Sequence, residues 1–482
     1  MDDSKLRELL KKSFLYDNFS VLEEGRKWKY SEFWTHAFAA MNYFVSNNIK
    51  RATICLPQSF YSYAIIWGAY LSHTIFCPVN VKNPIDRILY FNNVFESDVF
   101  ISDTKFDDKR ISAVPSKEVF LFSDELNSTP PSIAHKSNLA YVIFTSGSTG
   151  LPKGVKISRE SLESFLLFTI KAWDITKDDV VGQYSSIGFD LSIADIFVSI
   201  LCGATLVPFS DSEKLMPGKT IRKYGITFWH SVPSAIDLID RANQINNEML
   251  GSLRKASFCG EQLYKSQLDK LFTAKPDLIV FNTYGPTEAT VFCSLVKLNS
   301  ENYKEFSNKT VTIGDAIDGM RIELVGMENG IGEICISGRN VSLGYLGAST
   351  KEESPFFFTE IDGLRSPCYY TGDYAYYENN HLFFQGRKDG QIKRMGNRID
   401  LSEIDYWIRE LGCSSSCTVA VAQIITSFVE TNTLTEDDVL YHLRNKLPNY
   451  YIPQRVIIKK KLPLNSSGKI DRNILFQEAL QK

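Results

Sequence analysis

Residues 141–158 read YVIFTSGSTGLPKGVKIS, and this stretch decides the fold class of the chain. The apolar run at its start, Tyr141–Thr145, predicts a strand that enters a loop of glycines and hydroxyl side chains. Glycines let a backbone approach a ligand, and the amides and hydroxyls of such a loop bind phosphate oxygens, to which Lys153 adds charge. A Walker A loop is excluded, because Pro152 stands where its second glycine would be. A polar hairpin turn is the alternative, but the flanking strands and the lysine favour a phosphate site.

Outward from this loop, strand-like and helical patterns alternate, which predicts a mixed α/β fold. Strands are predicted at Val180–Tyr184, Leu278–Asn282 and Gly332–Ser337, and helices at Ser158–Trp173, with Ser158 as N-cap, and at Leu401–Leu411. Beyond a polar, glycine-flanked stretch at residues 386–390, the last part of the chain continues with a strand at Thr418–Ile424 and a helix that Thr435 opens through a capping box. This order suggests a small α+β module behind a hinge.

Composition narrows the function classes. The 482 residues are 44% hydrophobic and 23% charged, which is ordinary globular composition. Lys and Arg number 53 against 56 Asp and Glu, so there is no basic excess for a nucleic acid. The apolar stretch Tyr61–Val81 is interrupted by polar residues, so we expect a core helix and a buried strand there and no membrane insertion. Nine scattered cysteines complete no zinc pattern and fit a reduced cytoplasm.

Six further motifs follow the glycine-rich loop in order along the chain. They are FDLSIADIF (189–197), FCGEQL (258–263), FNTYGPTEAT (281–290), YYTGD (369–373), GRKDGQIKRMGNRIDLSEID (386–405) and LPLNSSGKIDR (462–472). With these motifs the chain resembles the adenylate-forming superfamily of acyl-CoA synthetases, luciferases and peptide-synthetase adenylation domains. The resemblance implies a multidomain α/β fold: a large N-terminal domain, residues 1–388, of stacked α/β subdomains with a β-rich subdomain, and a small mobile α+β C-terminal lid, residues 389–482.

The resemblance also implies a site for ATP. In that family the tyrosine of the YGPTE segment, here Tyr284, stacks on adenine, Asp373 binds the ribose hydroxyls with Arg387 as companion, and Glu288 holds Mg²⁺, an ion that prefers oxygen ligands. Without the resemblance, the YGPTE segment would be interpreted as a surface turn, Asp373 as a capping aspartate and Arg387 as a solvated arginine. The residues expected to bind ATP or AMP are Thr145, Ser146, Gly147, Ser148, Thr149, Gly150, Lys153, Gly260, Glu261, Asn282, Thr283, Tyr284, Gly285, Thr287, Asp373 and Arg387.

Two residues of the lid carry the implied catalytic cycle. Lys469, which alone would be a solvated lysine in a flexible loop, is implied to bridge the substrate carboxylate and the α-phosphate, where charge develops during acid activation. Asp389 resembles the hinge residue about which the lid turns. Rotation would exchange Lys469, which serves adenylation, for the loop around Gly396, which serves thioester formation.

Asp190 is the clearest indication of the substrate. Superfamily members that activate amino acids carry an aspartate here, which pairs with the α-ammonium group; the alternative is an N-cap for the following helix. The motifs are most similar to those of D-alanine–carrier protein ligases. Cys259 and Val291 stand at positions that line the alanine pocket of those ligases, whereas Ala194, His230 and Phe292 differ from the side chains that those ligases carry. The expected substrate-binding residues are Asp190, Leu191, Ala194, His230, Ser257, Cys259, Thr283, Val291 and Phe292.

The expected activity is therefore ATP- and Mg²⁺-dependent activation of a small amino acid as aminoacyl-AMP. The aminoacyl group would pass to the phosphopantetheine thiol of a separate carrier protein, because no carrier serine motif follows Lys469. D-Alanine ranks first, and serine or another small polar amino acid follows closely. An acyl-CoA or aryl-CoA ligase and a catalytically silent relative remain as alternatives. A P-loop kinase and a dinucleotide oxidoreductase are excluded, because neither of their motifs occurs.

Overall fold

The chain alternates helices and strands along its whole length. The computed structural model describes residues 3–106, 108, 110, 112–125, 137–146, 151–346, 354–361, 363–387, 391–394, 397–421, 424–463 and 470–481. The α-helices are Asp3–Ser13 (α1), Tyr30–Ser46 (α2), Phe60–Leu71 (α3), Ile85–Phe95 (α4), Ser116–Val119 (α5), Arg159–Trp173 (α6), Leu191–Cys202 (α7), Asp211–Leu215 (α8), Pro217–Tyr224 (α9), Ser234–Arg241 (α10), Asn247–Leu250 (α11), Lys265–Ala274 (α12), Leu401–Arg409 (α13), Glu436–Lys446 (α14) and Arg472–Gln481 (α15). Short 3₁₀ helices lie at Phe120–Glu125, Thr287–Ala289 and Asn449–Tyr451.

The strands are distributed over five sheets. Their bounds are Phe19–Glu23 (β1), Arg26–Lys29 (β2), Arg51–Ile54 (β3), Ile75–Pro78 (β4), Val99–Ile101 (β5), Ala113–Val114 (β6), Leu139–Thr145 (β7), Lys153–Ser158 (β8), Val180–Gln183 (β9), Thr205–Pro208 (β10), Phe228–Ser231 (β11), Lys255–Phe258 (β12), Ile279–Tyr284 (β13), Ser294–Leu298 (β14), Asp315–Ala316 (β15), Met320–Glu328 (β16), Ile331–Gly338 (β17), Tyr345–Leu346 (β18), Phe356–Ile361 (β19), Leu364–Glu378 (β20), His381–Arg387 (β21), Gln391–Arg394 (β22), Asn397–Asp400 (β23), Ser415–Val421 (β24), Ile424–Glu430 (β25) and Arg455–Lys459 (β26).

Two large sheets draw their strands from residues 19–346. The nine-stranded sheet has the order β15-β14-β13-β12-β11-β9-β10-β1-β2, and the seven-stranded sheet has the order β18-β8-β7-β4-β3-β5-β6. Parallel pairing from β9 to β13 and from β3 to β7 leaves antiparallel strands only toward the sheet edges. Within each sheet, the carboxyl ends of the parallel strands meet at the same edge. The loop that follows β7 in the seven-stranded sheet can therefore share one site with the loops that follow β12 and β13 in the nine-stranded sheet.

Helices α3 and α7 pack between the two sheets. Every residue of α7 is buried, as are ten of the twelve residues of α3, and a helix that is apolar on all sides has to be enclosed. The ring of Phe197 on α7 lies 4.6 Å from Trp67 on α3 and 6.4 Å from Phe76 on β4. Asp195 is the one carboxylate of α7, and its side chain is fully buried.

The remaining sheets are smaller and largely antiparallel. Strands β16, β17, β20 and β19 form a sheet in that order, with β21 paired to β20. The final part of the chain holds the β22–β23 hairpin and the sheet β24-β25-β26, packed with α13 and α14 around its own core of Ile399, Ile404 and Leu443. This arrangement agrees with the expected β-rich subdomain and small α+β lid. The boundary expected between residues 388 and 389 lies outside the described residues and stays a prediction.

Local sequence signals are confirmed where the chain shows strong patterns. The Ser158 side chain accepts a hydrogen bond from the amide of Ser161 and caps α6. Thr435 forms a capping box with Asp438 at the start of α14. The stretch expected to combine a core helix and a buried strand holds α3 and β4. Among the helices described above, none combines the length and apolar character needed to span a bilayer.

Candidate active site

A deep cleft opens where the carboxyl ends of β7, β12 and β13 meet the β-rich sheet and the small C-terminal domain. It encloses about 1090 Å³, counting the part that is open to solvent. A second cavity of about 390 Å³ adjoins it at Gly260. Residues that line the cleft include Thr145, Ser146, Asp190, Leu191, Cys259, Gly260, Gly285, Pro286, Thr287, Asp373 and Arg387, with Arg87, Ile392, Tyr450 and Tyr451 on the side of the small domain.

Asp373 is the centre of a buried polar group at one end of the cleft. Its two carboxylate oxygens accept hydrogen bonds from the Tyr284 hydroxyl at 2.6 Å and from Nη1 of Arg387 at 2.5 Å. Arg387 also donates to the Thr371 carbonyl at 2.9 Å. Burial, together with the negative charge of Asp373, holds the pKa of Tyr284 well above its usual range, so its hydroxyl stays a donor. The network fixes a carboxylate and a guanidinium, groups suited to hydroxyls and phosphate respectively.

The second cavity is lined by Tyr284, expected to stack on adenine, and by other residues expected to bind ATP or AMP. Asn282, Thr283 and Tyr284 at the end of β13 face Gly260 and Glu261, and the Tyr284 and Phe384 rings lie 6.3 Å apart. The Asn282 amide donates to the Thr312 carbonyl at 2.7 Å. A flat aromatic wall beside fixed amide groups is suited to a planar heterocycle.

The turn after β13 is held in a strained conformation. Gly285 packs so closely against the backbone of Phe292 that a Cβ atom there would lie 2.4 Å from the Phe292 Cα, which explains the glycine. Thr290 and Val291 have φ angles of 59° and 70°, which β-branched residues rarely adopt. The Thr290 hydroxyl donates to the Asn340 carbonyl at 2.7 Å and helps to hold this shape. Strain of this kind is concentrated at functional sites.

Asp190 stands at the N-cap position of α7, but its side chain makes no capping hydrogen bond. Instead the residue lines the cleft beside Leu191 and Cys259. The hydroxyl of Tyr141 is buried nearby, and burial together with the charge of Asp190 holds the pKa of Tyr141 well above its usual range. The structure thus supplies a fixed carboxylate at the cleft wall and removes the capping alternative for the side chain.

Behind the cleft floor lies a fully buried layer that holds the other expected substrate residues. The Phe292 ring packs 4.8 Å from Phe165 and 6.0 Å from Trp173, and Trp173 packs 4.9 Å from His230. None of these four rings is among the residues that line the cleft. The layer contains Ala194, His230, Ser257, Val291 and Phe292, each at most 1% exposed.

Glu288 lies next to Thr287, just behind the cleft. Its Oε1 accepts a hydrogen bond from the Tyr345 hydroxyl at 2.7 Å, and Tyr345 in turn faces the Lys153 ammonium at 5.5 Å. Within the described ranges, no three His, Cys, Asp or Glu side chains come together as a metal site of their own. A single carboxylate still fits Mg²⁺ bound mainly through phosphate oxygens and water.

The small domain closes one side of the cleft through an ion pair between Arg87 on α4 and Glu403 on α13. The side chains are only 8% and 0% exposed. The Arg87 guanidinium also lies 5.3 Å from the ring of Tyr451. Burial opposes the charge of Arg87, but the Glu403 carboxylate together with Tyr451 and Tyr450 outweighs burial, so the pKa of Arg87 is raised. A second, more exposed pair joins the same two domains, Lys446 to Asp86 at 2.7 Å.

Comparison with known proteins agrees with this geometry. Residues 9–346 match the pattern of the AMP-binding enzymes. The chain belongs to the AMP-binding enzyme family. Within it, the chain is 31% identical over 442 residues to a D-alanine–D-alanyl carrier protein ligase of Listeria monocytogenes, covering 85% of each sequence. It is 33% identical over 431 residues to the ligase of that name from Bacillus licheniformis, covering 84% of each.

Solved structures share the fold of this AMP-binding enzyme. The Vibrio cholerae adenylation domain AlmE, in complex with glycyl-adenosine-5'-phosphate, superposes with a TM-score of 0.84 at 24% identity and covers 100% of this chain and 99% of that one. The o-succinylbenzoate CoA synthetase of Bacillus subtilis superposes with a TM-score of 0.82 at 18% identity, covering 97% of each chain. The mixed α/β multidomain fold is thereby confirmed.

The cleft of this AMP-binding enzyme and the adjoining cavity bring together most of the expected nucleotide residues. Lys153 and Glu288 lie close behind it, and their roles stay predictions. Five positions named from the sequence, the loop residues Gly147, Ser148, Thr149 and Gly150 and the catalytic Lys469, lie outside the described residues, as does the hinge Asp389.

Three residues at the site were not singled out from the sequence. Asp195 carried a visible signal, because a lone carboxylate in the apolar run LSIADIFVSILC needs a buried partner. Arg87 and Tyr451 carried none, since each acquires its role only by contact between distant parts of the chain.

Proposed function

We propose that this enzyme activates a small α-amino acid with ATP and transfers it to a carrier protein. A substrate carboxylate oxygen attacks the α-phosphorus of ATP, the bond to the bridging oxygen breaks, and pyrophosphate leaves with aminoacyl-AMP formed. The phosphopantetheine sulfur of a separate carrier then attacks the carbonyl carbon, and AMP leaves as the thioester forms. The ligase names of the relatives and the aminoacyl-adenylate bound to the structural neighbour support this class of reaction.

The position of Asp190 carries the proposal. The Asp190 carboxylate is 6% exposed, lines the cleft and does not cap its helix, so it stands where a bound substrate can reach it. An α-ammonium group is the partner that compensates such a charge. The acid substrate of an acyl-CoA or aryl-CoA ligase carries no ammonium group to pair with the Asp190 carboxylate. This second candidate function is therefore disfavoured.

The other end of the substrate is bound by the nucleotide residues. The Asp373 carboxylate would accept from the ribose hydroxyls, Arg387 would face ribose or phosphate, and the residues of the second cavity would enclose adenine. Mg²⁺ held by Glu288 and phosphate oxygens would neutralise phosphate charge. Lys469 would stabilise the charge that develops at the α-phosphate.

Two features favour a small amino acid. We infer that Cys259 and Leu191, which line the cleft, form its floor, and that the buried rings of Phe292, Trp173 and Phe165, which do not line it, limit its depth. D-Alanine, which the names of the relatives contain, fits such a floor and ranks first on this ground. We place the enzyme in the cytoplasm, since nine scattered cysteines fit a reducing compartment.

ATP–pyrophosphate exchange tests the proposal directly. The panel holds D-Ala, L-Ala, Gly and both enantiomers of serine, with acetate, octanoate and benzoate as acids without an amino group. We expect exchange only with amino acids, and Asp190→Asn should lower kcat/KM by about 10²- to 10³-fold, since it leaves one buried charge uncompensated. Glu248→Gln, which alters an exposed carboxylate on α11, should change nothing. Robust exchange with octanoate or benzoate that Asp190→Asn leaves intact would refute the amino-acid assignment.

A further inference from the structure

Arg87 on α4 lies at the wall of the cleft, beside the two ends of the glycine-rich loop. The Tyr90 hydroxyl on the same helix donates to the carbonyl of Pro152, which follows the loop, at 3.1 Å. The Phe91 ring stacks on Phe144, just before the loop, with centroids 4.4 Å apart. Residues three and four apart share one face of a helix. Arg87 therefore lies on the face of α4 that contacts the loop expected to bind phosphate.

The positive charges that line the cleft are few. Of the described residues in its wall, Arg87 and Arg387 carry a positive charge. Arg387 is paired with Asp373, the residue expected at the ribose. Arg87 shares the cleft with Thr145 and Ser146, at the start of the glycine-rich loop. A triphosphate is strongly anionic, and a guanidinium binds phosphate oxygens through two parallel hydrogen bonds. The charge distribution thus favours Arg87 as a partner for phosphate.

The Arg87 guanidinium is held from both domains. The ring of Phe91, on its own helix, lies 5.3 Å away, and the small domain supplies Glu403 and the ring of Tyr451 at 5.3 Å. In this orientation the Glu403 carboxylate compensates the charge of the guanidinium. When the lid turns away, Glu403 and Tyr451 leave with it, whereas Phe91 stays. The guanidinium then faces the cleft without a counter-charge, and such a group needs an anion or water.

A carboxylate and a phosphate offer a guanidinium the same kind of partner. Both present ionised oxygens, which arginine binds through charge-assisted hydrogen bonds. Glu403 and a phosphate of bound ATP or pyrophosphate therefore compete for Arg87. By linkage, a phosphate bound at Arg87 opposes docking of the lid, and a docked lid opposes binding of that phosphate by the same factor.

We propose that Arg87 binds the terminal phosphates of ATP, and then pyrophosphate, while the lid is turned away, and that Glu403 takes over the guanidinium when pyrophosphate leaves. The inference rests on the proposed activation of an acid by ATP and assigns a phosphate-binding residue outside the glycine-rich loop. It also orders the cycle, because the lid reaches the orientation that the structure shows only after the phosphate site is empty. The docked Glu403 then opposes the return of pyrophosphate, which would reverse adenylate formation.

Equilibrium binding of ATP, pyrophosphate and AMP, measured by calorimetry with Mg²⁺ and without an acid substrate, tests the competition. Glu403→Gln removes the competing charge and should tighten binding of ATP and pyrophosphate by at least about threefold. Adding Arg87→Gln to that variant should weaken both by about 10- to 10²-fold, because a hydrogen bond between charged groups is lost. AMP, which lacks the terminal phosphates, should bind within about twofold throughout. An unchanged affinity for pyrophosphate in either comparison would overturn the inference.

Two more variants in the Glu403→Gln background separate direct contact from an effect on the fold. Arg222→Gln is the matched control, because Arg222 forms an exposed pair with Glu248 and does not line the cleft. It should change none of the three affinities. Arg87→Lys keeps the charge but not the fork of two donors, so it should recover part of the affinity that Arg87→Gln loses. Parallel losses for pyrophosphate and AMP would indicate a structural role for Arg87 and overturn the inference.

These outcomes are separate from those that test the proposed function, because no acid is present in the binding measurement. Exchange supported only by acids without an amino group would overturn the amino-acid assignment and leave Arg87 as a phosphate-binding residue. Pyrophosphate binding that does not depend on Arg87, in an enzyme that still exchanges with amino acids, would overturn this inference alone.

Discussion

The ion pair between Arg87 and Glu403 is the contact whose removal should divide the two half-reactions. Its members come from different domains, and both side chains are almost completely buried. Ile392 of the β22–β23 hairpin lines the cleft, so this hairpin faces the cleft in the lid orientation that the structure shows. Lys469 is expected to serve adenylation and the loop around Gly396 to serve thioester formation. A lid that turns this hairpin toward the cleft therefore has the orientation expected for transfer to the carrier. Glu403→Gln should therefore weaken the transfer orientation.

The magnitude follows from burial. Breaking a buried pair by neutralising one partner costs about 3–5 kcal/mol, because the remaining charge is uncompensated. Arg87 regains water when the lid moves away, so the cost falls on lid docking and not on the folding of either domain. At 1.36 kcal/mol per decade, the docking equilibrium should shift by about 2 × 10²- to 5 × 10³-fold. Lys446→Gln breaks the more exposed pair with Asp86 and should shift it by at most about fivefold.

Rapid-quench measurement of transfer from preformed aminoacyl-AMP to the carrier, beside pyrophosphate exchange, is the assay. Transfer by Glu403→Gln should fall steeply, whereas exchange should stay unchanged or rise. Small-angle scattering should show a more open average shape for this variant than for Lys446→Gln. Equal losses of both half-reactions in a folded protein, or no change in either, would refute the reasoning.

Three further predictions concern Lys469, the hinge residue Asp389 and the buried Lys214. Lys469→Ala should lower pyrophosphate exchange by at least about 10²-fold and spare transfer from preformed adenylate. Asp389→Pro restricts rotation at the hinge, so it should spare exchange and lower transfer to the carrier. Equal effects of either variant on both steps would contradict the lid rotation. Lys214 donates to Gln58 at 2.6 Å, and burial lowers the pKa of Lys214 from 10.5 to about 8. Between pH 8 and pH 10.5 the unfolded chain keeps the Lys214 proton that the folded chain has lost, so the free energy of unfolding rises with pH. Lys214→Met should be more stable than the parent by up to about 3 kcal/mol at pH 7. Chemical denaturation should show that this difference vanishes above pH 10.5.

Much of the local structure follows from short-range patterns. The strand that enters the glycine-rich loop, the cap at Ser158 and the capping box at Thr435 were all predicted and are confirmed. Backbone preferences and caps act over a few residues, so such signals survive in any tertiary context. The ordered motifs also indicated the family, and with it the multidomain fold.

The contacts that shape the candidate site were decided by the tertiary structure. Arg87 and Glu403 are 316 residues apart in the chain, and Asp195 and His230 are 35 residues apart. A polar side chain in an apolar run shows that a partner is needed, but the choice of partner depends on which elements close upon each other. From its position before α7, Asp190 could equally have been a helix cap. The sequence determined the elements and their family, whereas packing of the two sheets, their helices and the lid decided which charges meet, because burial and pairing exist only after distant segments have come together.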